Sequence, residues 1–166
     1  MPRKAHPFSF VKFLAPQEEN KISLSGLRIS YPLACHESAA MRVLIVDDDI
    51  VQITLISALV EAFDVDHVSN GDDALQMFRN AHGQSRPYGL IFMDLMMPGF
   101  DGYMVVDAIR KLETEKSWQP TKVIVITGKD PKDGLTDQLR QQCQDYLMKP
   151  VNADALLQSL EELKLI

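Results

Sequence analysis

The stretch Leu90-Ile91-Phe92-Met93-Asp94-Leu95-Met96-Met97-Pro98-Gly99 joins an apolar run to a carboxylate and then to a Pro-Gly turn. Four apolar residues in a row predict a buried strand at residues 90–93. A carboxylate at the end of a buried strand is costly unless its charge is used or neutralised. We therefore expect Asp94 to have a function that depends on its charge.

Further runs of strand length lie on both sides of this stretch. Residues 42–46 and 122–126 are continuous, apolar and rich in β-branched side chains, and weaker runs occur at residues 65–69 and 146–148. Continuous apolar runs of this kind are typical of strands that are buried on both faces of a parallel sheet. The sequence therefore predicts five strands.

Amphipathic stretches follow each of these runs. Apolar residues recur at three- and four-residue spacing in residues 50–63, 74–78, 105–112 and 153–163, and a weaker, Gln-rich pattern covers residues 136–144. Five strands alternating with five helices predict an α/β fold, a (βα)5 doubly wound parallel sheet with helices on both faces. Of the common doubly wound strand orders we take 2-1-3-4-5 as the expectation.

The first forty residues do not continue this alternation. Residues 1–40 hold five basic and three acidic residues, a net charge of +2, whereas residues 41–166 hold twelve and twenty, a net of −8. We expect residues 1–40 to be an N-terminal extension that is poorly ordered or absent from the native product, and residues 41–166 to be the folded domain. A docking arm is the remaining alternative.

Composition excludes several classes of protein. The net charge of −6 and the lack of a helix-turn-helix pattern argue against direct binding of nucleic acid. Two distant cysteines predict neither a disulfide framework nor a zinc site, and they fit a cytoplasmic location. No apolar run approaches the roughly 20 residues of a membrane span, and no signal peptide is evident. With no output domain after the last helix, we expect a single-domain protein.

Polar residues stand at the carboxyl ends of the predicted strands, where open α/β sheets place their chemistry. In the expected strand order these residues share one cleft: Asp47, Asp48, Asp94, Thr127 and Lys149. Asp49, the third of the Asp run, is expected to cap the first helix or to lie in its first turn. Clustered carboxylates stay charged together when a cation lies among them, and oxygen ligands suit Mg²⁺. A cleft with Mg²⁺, a lysine and a threonine suits a phosphoryl group.

Four motifs in this order give the chain a specific resemblance. They are Val46-Asp47-Asp48, the run from Met93 to Gly102, Ile126-Thr127-Gly128, and Asp145-Tyr146-Leu147-Met148-Lys149-Pro150. Residues 42–164 resemble the receiver domain of two-component response regulators, a flavodoxin-like family that includes the bacterial chemotaxis regulator. The resemblance implies a phosphorelay protein that takes a phosphoryl group from a sensor histidine kinase or a histidine phosphotransfer protein. Its downstream protein target is unknown.

The resemblance also implies a role for each motif residue. Asp94 would be the phosphoacceptor, and Mg²⁺ (or Mn²⁺) would bind Asp48, Asp94 and the carbonyl of Met96, with Asp47 helping through water. The phosphoryl-binding and switch residues would be Thr127, Gly128, Lys149 and Tyr146. Pro98 and Gly99 would form a turn, and the bond before Pro150 would be cis.

The same resemblance describes the output. Phosphorylation would rearrange the face made of helix 4, strand 5 and helix 5, a face that also offers a route to a homodimer. Such a module is not an enzyme acting on a separate substrate, since it catalyses its own phosphorylation and dephosphorylation.

A phosphatase of the haloacid dehalogenase type is the alternative from another class. Asp47-Asp48-Asp49-Ile50-Val51 fits its nucleophile motif, with Asp47 as the attacking group. That family needs a further acidic pair at a strand end after Lys149, and the acidic residues found there belong to one predicted helix. The alternative also leaves Asp94 without a role. A degenerate receiver used as a scaffold is disfavoured because the full set of site residues is present.

Overall fold

The computed structural model describes residues 40–128 and 137–166. The predicted N-terminal extension therefore lies outside the described residues except for Ala40, and the domain boundary at Met41 remains a prediction. Within the described residues, strands and helices alternate as the pattern predicts. They are β1 (Arg42–Val46), α1 (Ile50–Leu59), β2 (Asp64–Val68), α2 (Gly71–Gly83), β3 (Tyr88–Asp94), α3 (Gly102–Lys116), β4 (Lys122–Thr127), α4 (Asp137–Gln142), β5 (Asp145–Met148) and α5 (Ala153–Glu162).

The five strands β1 to β5 form one parallel sheet in the order β2-β1-β3-β4-β5. This confirms the predicted doubly wound, flavodoxin-like arrangement. In the register of the sheet, Val46 of β1 lies beside Met93 of β3, and Asp94 lies beside Ile126 of β4. The carboxyl ends of neighbouring strands therefore meet at one edge of the sheet.

Both faces of the sheet are covered by helices. On β1, Leu44 and Val46 belong to the apolar layer that includes side chains of α2, α3 and α4, whereas Val43 and Ile45 belong to the layer formed with α1 and α5. All four side chains are fully buried. Burial on both faces is the reason that the strands are continuous apolar runs in the sequence instead of alternating ones.

The bounds of β2, β3, β4 and β5 differ from the predicted runs by one or two residues, and β3 differs most. β3 begins at Tyr88, two residues before the apolar run, and includes Gly89. A Cβ at Gly89 would lie 2.6 Å from the Cγ atom of Met41, so a larger residue there would require the flexible Met41 side chain to move. The glycine that interrupts the apolar pattern is thus part of the strand.

The helices are short, from six residues in α4 to fifteen in α3. α4 ends at Gln142, two residues before the predicted end, because the backbone N–H of Gln144 donates to the carbonyl of Val123 and so joins the sheet. Residue 136, the predicted start of α4, lies outside the described residues. None of the helices in the described part of the chain combines the length and the apolar character needed to cross a bilayer.

Polar side chains cap the helices that follow the strand ends. The carboxylate of Asp49 accepts a hydrogen bond from the N–H of Val51 at 2.8 Å, which confirms the cap predicted for α1. Asn70, Asp101 and Asn152 cap α2, α3 and α5 in the same way. Each such cap stabilises a helix by about 1 kcal/mol. The caps also fix the loops that surround the carboxyl edge of the sheet.

Candidate functional site

Three carboxylates meet at the carboxyl edge of the sheet. Asp47 and Asp48 follow β1, and Asp94 is the last residue of the neighbouring strand β3. One oxygen from each of the three carboxylates lies within 4.8 Å of the other two. Asp47 and Asp94 are buried, with 0% and 1% of their surfaces exposed, whereas Asp48 is exposed. The cluster therefore combines two carboxylates buried in the core with one that faces solvent.

Lys149 reaches this cluster from the end of β5. Its backbone N–H donates to the carbonyl of Thr127 at 2.8 Å, which extends the pairing of β5 with β4. Its ammonium donates to Oδ2 of Asp94 at 2.7 Å and to Oδ1 of Asp47 at 3.1 Å. The peptide bond between Lys149 and Pro150 is cis, as the resemblance implies. One ammonium thus holds the two buried carboxylates.

Charge and burial shift the pKa values of two of these groups. Burial raises the pKa of Asp47, although hydrogen bonds from the N–H of Asp49 and from Lys149 oppose the shift. Burial would lower the pKa of Lys149, but its hydrogen bonds to Asp94 and Asp47 outweigh this and raise the pKa. The ammonium therefore stays charged, and it supplies one positive charge to a cluster of three carboxyl groups.

The donor atoms of the cluster fit a hard divalent cation. They are carboxylate oxygens, the ligands that Mg²⁺ prefers, and the exposed side leaves room for the waters that Mg²⁺ usually keeps. Oδ2 of Asp47 is buried and accepts no hydrogen bond from the described residues, although it lies 3.0 Å from the Lys149 ammonium. A buried carboxylate oxygen with spare acceptor capacity in an acidic cluster is consistent with a cation or its bound water nearby.

The turn after β3 holds Asp94 in place. Oδ1 of Asp94 accepts a hydrogen bond from the backbone N–H of Met96 at 2.9 Å, a contact that the sequence does not indicate. Residues Met96–Met97 and Phe100–Asp101 pair as a short antiparallel hairpin around Pro98 and Gly99, and Gly99 has a φ of 72°. This left-handed backbone conformation favours glycine, in agreement with the predicted turn.

Gly102 allows the first turn of α3 to touch the phosphoacceptor candidate's own backbone. A Cβ at Gly102 would overlap the carbonyl oxygen of Asp94 and lie 2.8 Å from the Cα atom of Leu95. The N–H of Gly102 also points to the carbonyl of Leu95 at 3.4 Å. Close approach of two backbone segments therefore requires glycine at this position.

The remaining candidate residues lie on β4 and β5. Thr127 is 2% exposed and lies one residue beyond Ile126, the β4 residue beside Asp94. Gly128 is exposed, and a Cβ there would meet no atom within 4 Å. If a small residue is needed at this position, the reason is therefore a group bound in the cleft and not the packing of the protein. The hydroxyl of Tyr146 is buried and finds no hydrogen-bond partner among the described residues. A buried hydroxyl without a hydrogen-bond partner is energetically costly.

Comparisons with known proteins agree on one family. The model of the response regulator receiver domain matches residues 43–161. Protein PilH of Pseudomonas aeruginosa is 32% identical over 121 residues, which cover 72% of this chain and 93% of PilH. The sensor histidine kinase GacS of Pseudomonas protegens is 34% identical over 131 residues, which cover 78% of this chain but only 14% of the kinase. The chain therefore corresponds to nearly all of one relative and to a small part of the other.

A solved structure shows the same fold in a signalling complex. It contains the Saccharomyces cerevisiae histidine phosphotransfer protein Ypd1 and the receiver domain of its downstream response regulator Ssk1. The match has a TM-score of 0.60 and 26% identity, and it covers 71% of this chain and 84% of the matched chain. The family match leaves the haloacid dehalogenase alternative without support.

Proposed function

Because the chain belongs to the response regulator receiver domain family, we propose that Asp94 accepts a phosphoryl group from a phosphohistidine. The observation that supports this most strongly is the hydrogen bond of 2.7 Å between the Lys149 ammonium and Oδ2 of Asp94, within a cluster of three carboxylates. A lysine and an acidic cation site are what a phosphoryl group requires for its own negative charge. The functional domain is then residues 41–166, which agrees with the start of β1 at Arg42.

The proposed transfer is a single displacement at phosphorus. A carboxylate oxygen of Asp94 forms a bond to phosphorus while the bond between phosphorus and the histidine nitrogen breaks, and the electron pair returns to the imidazole. Lys149 moves its hydrogen bond from the carboxylate to the incoming phosphoryl oxygens, and Thr127 donates its hydroxyl to them. Positioning and charge neutralisation supply most of the rate enhancement in such transfers. Hydrolysis of the acyl phosphate by water restores Asp94.

The cation site belongs to the same proposal. Asp48, Asp94 and the carbonyl of Met96 would bind Mg²⁺ or Mn²⁺, and Asp47 would act through a bound water. The cation would neutralise charge on the transferred group. Its exposed ligand Asp48 keeps the site accessible from solvent.

The proposed output is a rearrangement of the face formed by α4, β5 and α5. A phosphoryl group on Asp94 would draw the hydroxyl of Thr127 towards it, and the ring of Tyr146 would follow into the space that is released. The buried and unsatisfied hydroxyl of Tyr146 supports this switch role, because its present position is not held by a hydrogen bond from the described residues. The same face offers a surface for a target protein or for a second copy of the chain.

Incubation with acetyl phosphate tests the phosphoacceptor directly. We expect one phosphoryl group per chain, which adds about 80 Da to the intact mass, and removal of divalent ions with EDTA should abolish the gain. Mg²⁺ or Mn²⁺ should restore it, and hydroxylamine should release the group because an acyl phosphate is labile to it. Labelling that persists in EDTA would contradict the proposed cation site, and labelling that resists hydroxylamine would contradict an aspartyl phosphate.

We propose that the phosphodonor is a sensor histidine kinase or a histidine phosphotransfer protein, and that the protein acts in the cytoplasm, where ATP is available to the kinase. Two apolar side chains in the first turn of α1 support a protein donor. Ile50 is 64% exposed and Val51 is 69% exposed, directly after the capping residue Asp49 at the edge of the cleft. Exposed apolar side chains beside a reactive site are typical of a docking surface.

Replacing both residues by serine distinguishes a role in docking the donor protein from a role in the transfer reaction. The Ile50→Ser/Val51→Ser variant should lose about tenfold or more in the rate of phosphotransfer from a phosphorylated histidine protein, because about 1.4 kcal/mol of apolar contact corresponds to that factor. Labelling by acetyl phosphate should stay unchanged. Met104→Ser, which removes an apolar side chain of 71% exposure on α3, is the matched control and should leave both rates unchanged. Equal loss with both donors would place these residues in the chemistry instead.

A further inference from the structure

Exposed apolar side chains are concentrated at the edge of the sheet that holds Asp94. Among the described residues, six large apolar side chains are between 49% and 71% exposed. Five of the six lie at the carboxyl end of a strand, in the loop after it or in the first turn of the next helix: Ile50, Val51, Met96, Met104 and Met148. Exposed apolar surface that is concentrated in one region is typical of a contact surface.

Two of these methionines belong to the segments that hold the carboxylate of Asp94. The backbone N–H of Met96 donates to Oδ1 of Asp94 at 2.9 Å. Met148 directly precedes Lys149, whose ammonium donates to Oδ2 of Asp94 at 2.7 Å. The side chains of Met96 and Met148 are nevertheless 54% and 52% exposed. Both thioethers are therefore accessible from solvent, on segments that contact the proposed phosphoacceptor.

Exposure distinguishes these two methionines from most of the others. Four methionines among the described residues are buried or packed against the apolar layers: Met41, Met77, Met93 and Met97. Met97 is only 5% exposed although it follows Met96 directly, so the short hairpin buries one thioether and presents the other to solvent. Because an oxidant must reach the sulfur, the exposed thioethers are the ones that it attacks first.

A protein donor has to cover these side chains in order to reach Asp94. The side chain of Asp94 is 1% exposed, so the phosphorylated imidazole must enter the cleft and the donor surface must press against its border. We propose that Met96 and Met148 are part of the surface that docks the donor, and that their oxidation to sulfoxides by a peroxide reversibly blocks phosphotransfer. This inference rests on the proposed function, because it takes its donor and its acceptor from there.

The oxidation transfers one oxygen atom and two electrons. A lone pair on Sδ attacks one oxygen of hydrogen peroxide, the S–O bond forms as the O–O bond breaks, and the other oxygen leaves as water with both protons. The sulfoxide is polar, so covering it with an apolar donor surface costs the loss of its hydration. Sulfoxide reductases reverse the change with a dithiol, which returns the thioether and water and leaves a disulfide.

Brief treatment of the Cys35→Ser protein with hydrogen peroxide, followed by catalase, prepares the oxidised form. Cys143 should not compete, since it is 8% exposed and burial raises the pKa of its thiol to about 12. Each sulfoxide adds about 16 Da to the intact mass. Peptide mapping should place oxygen on Met96 and Met148 and should find Met97 still reduced.

Two phosphodonors then report on docking and on chemistry separately. The protein donor is the one, from a panel of phosphorylated histidine phosphotransfer proteins, that labels the untreated chain fastest. Oxidation should slow this transfer by at least about tenfold. Labelling by acetyl phosphate with Mg²⁺ should stay within about twofold of the untreated rate, since this small donor needs no docking surface. Methionine sulfoxide reductases A and B with dithiothreitol should restore the transfer from the protein donor.

Leucine variants identify the residues responsible. Met96→Leu/Met148→Leu keeps the apolar surface without an oxidisable sulfur, so peroxide should leave its transfer rate unchanged. Met104→Leu is the matched control, because it removes a thioether of 71% exposure that lines the groove between α3 and α4. This control should lose as much rate on oxidation as the parent does. Each variant is compared with its own untreated form, so that any effect of the substitution itself cancels.

The outcomes distinguish this inference from the proposed function. Unchanged transfer from the protein donor after complete oxidation of both residues would overturn the inference, as would an equal loss in Met96→Leu/Met148→Leu. Equal slowing with acetyl phosphate would place the effect in the chemistry and overturn the docking role. Failure of every protein donor to label the untreated chain would contradict the proposed donor class, and the inference would fall with it.

Discussion

Replacing Lys149 by methionine should slow phosphorylation by acetyl phosphate by about 10²–10³-fold, the usual loss when one preorganised charge is removed from a transition state. Among the residues that the structure describes, Lys149 is the positive side chain that contacts Asp94, at 2.7 Å, and methionine keeps most of its length without its charge. The initial rate of mass gain at fixed Mg²⁺ measures the effect. Lys116→Met removes a charge of the same sign from an exposed position and should label at the parent rate. A rate for Lys149→Met within about threefold of the parent would show that the contact is structural.

The same variant should acquire a characteristic pH dependence of stability. Burial already raises the pKa of Asp47, and loss of the Lys149 hydrogen bond removes an interaction that lowers it. A carboxyl whose pKa is higher in the folded than in the unfolded state binds more protons when folded, so stability falls as the pH rises through the folded pKa. In EDTA, urea should therefore unfold Lys149→Met more easily at pH 7.5 than at pH 5.5. A midpoint that rises over this interval would contradict the role of Lys149 as the counter-charge of Asp47.

Replacing Asp94 by asparagine should abolish phosphorylation from every donor. The amide has nearly the shape of the carboxylate and its oxygen can still accept from the N–H of Met96, so the fold should persist. It lacks the charged oxygen that attacks phosphorus, and we expect a loss of at least about 10³-fold, which is total within detection. Intact-mass measurement with acetyl phosphate and with a phosphohistidine protein gives the result, and circular dichroism checks the fold.

Asp49→Asn is the matched control for that experiment. Asp49 belongs to the same acidic run, but its carboxylate caps α1, and asparagine is an equally good cap. This variant should label at close to the parent rate. Loss of labelling in Asp49→Asn, or continued labelling of Asp94→Asn on another residue, would show that the nucleophile has been misassigned.

The sequence predicts the sheet and the meeting of the site residues for a simple physical reason. Buried parallel strands must be apolar on both faces, so a charged residue directly after such a run stands out, as Asp47 and Asp94 do. Once the strand order is assumed, strand ends that are far apart in sequence must share one edge. The strand order alone predicts that Lys149 lies near Asp94, although 55 positions separate them in the sequence.

Other features depend on tertiary contacts, which produce no periodic pattern in the sequence. The hairpin at Met96–Met97 has strands of two residues, too short for a pattern. Gly102 is explained by the backbone of a neighbouring chain segment, at Asp94 and Leu95. Arg110 and Glu113 have the three-residue spacing of a surface ion pair on a helix, and only the packing of α4 and β4 shows that they are buried.

Mapping the modified residue identifies the phosphoacceptor in the unsubstituted protein. After phosphorylation by acetyl phosphate with Mg²⁺, borohydride reduces an aspartyl phosphate to homoserine, and peptide sequencing by mass spectrometry locates the change. The position of the Lys149 ammonium predicts homoserine at residue 94. Homoserine at residue 47 or 48, with residue 94 unmodified, would contradict the account.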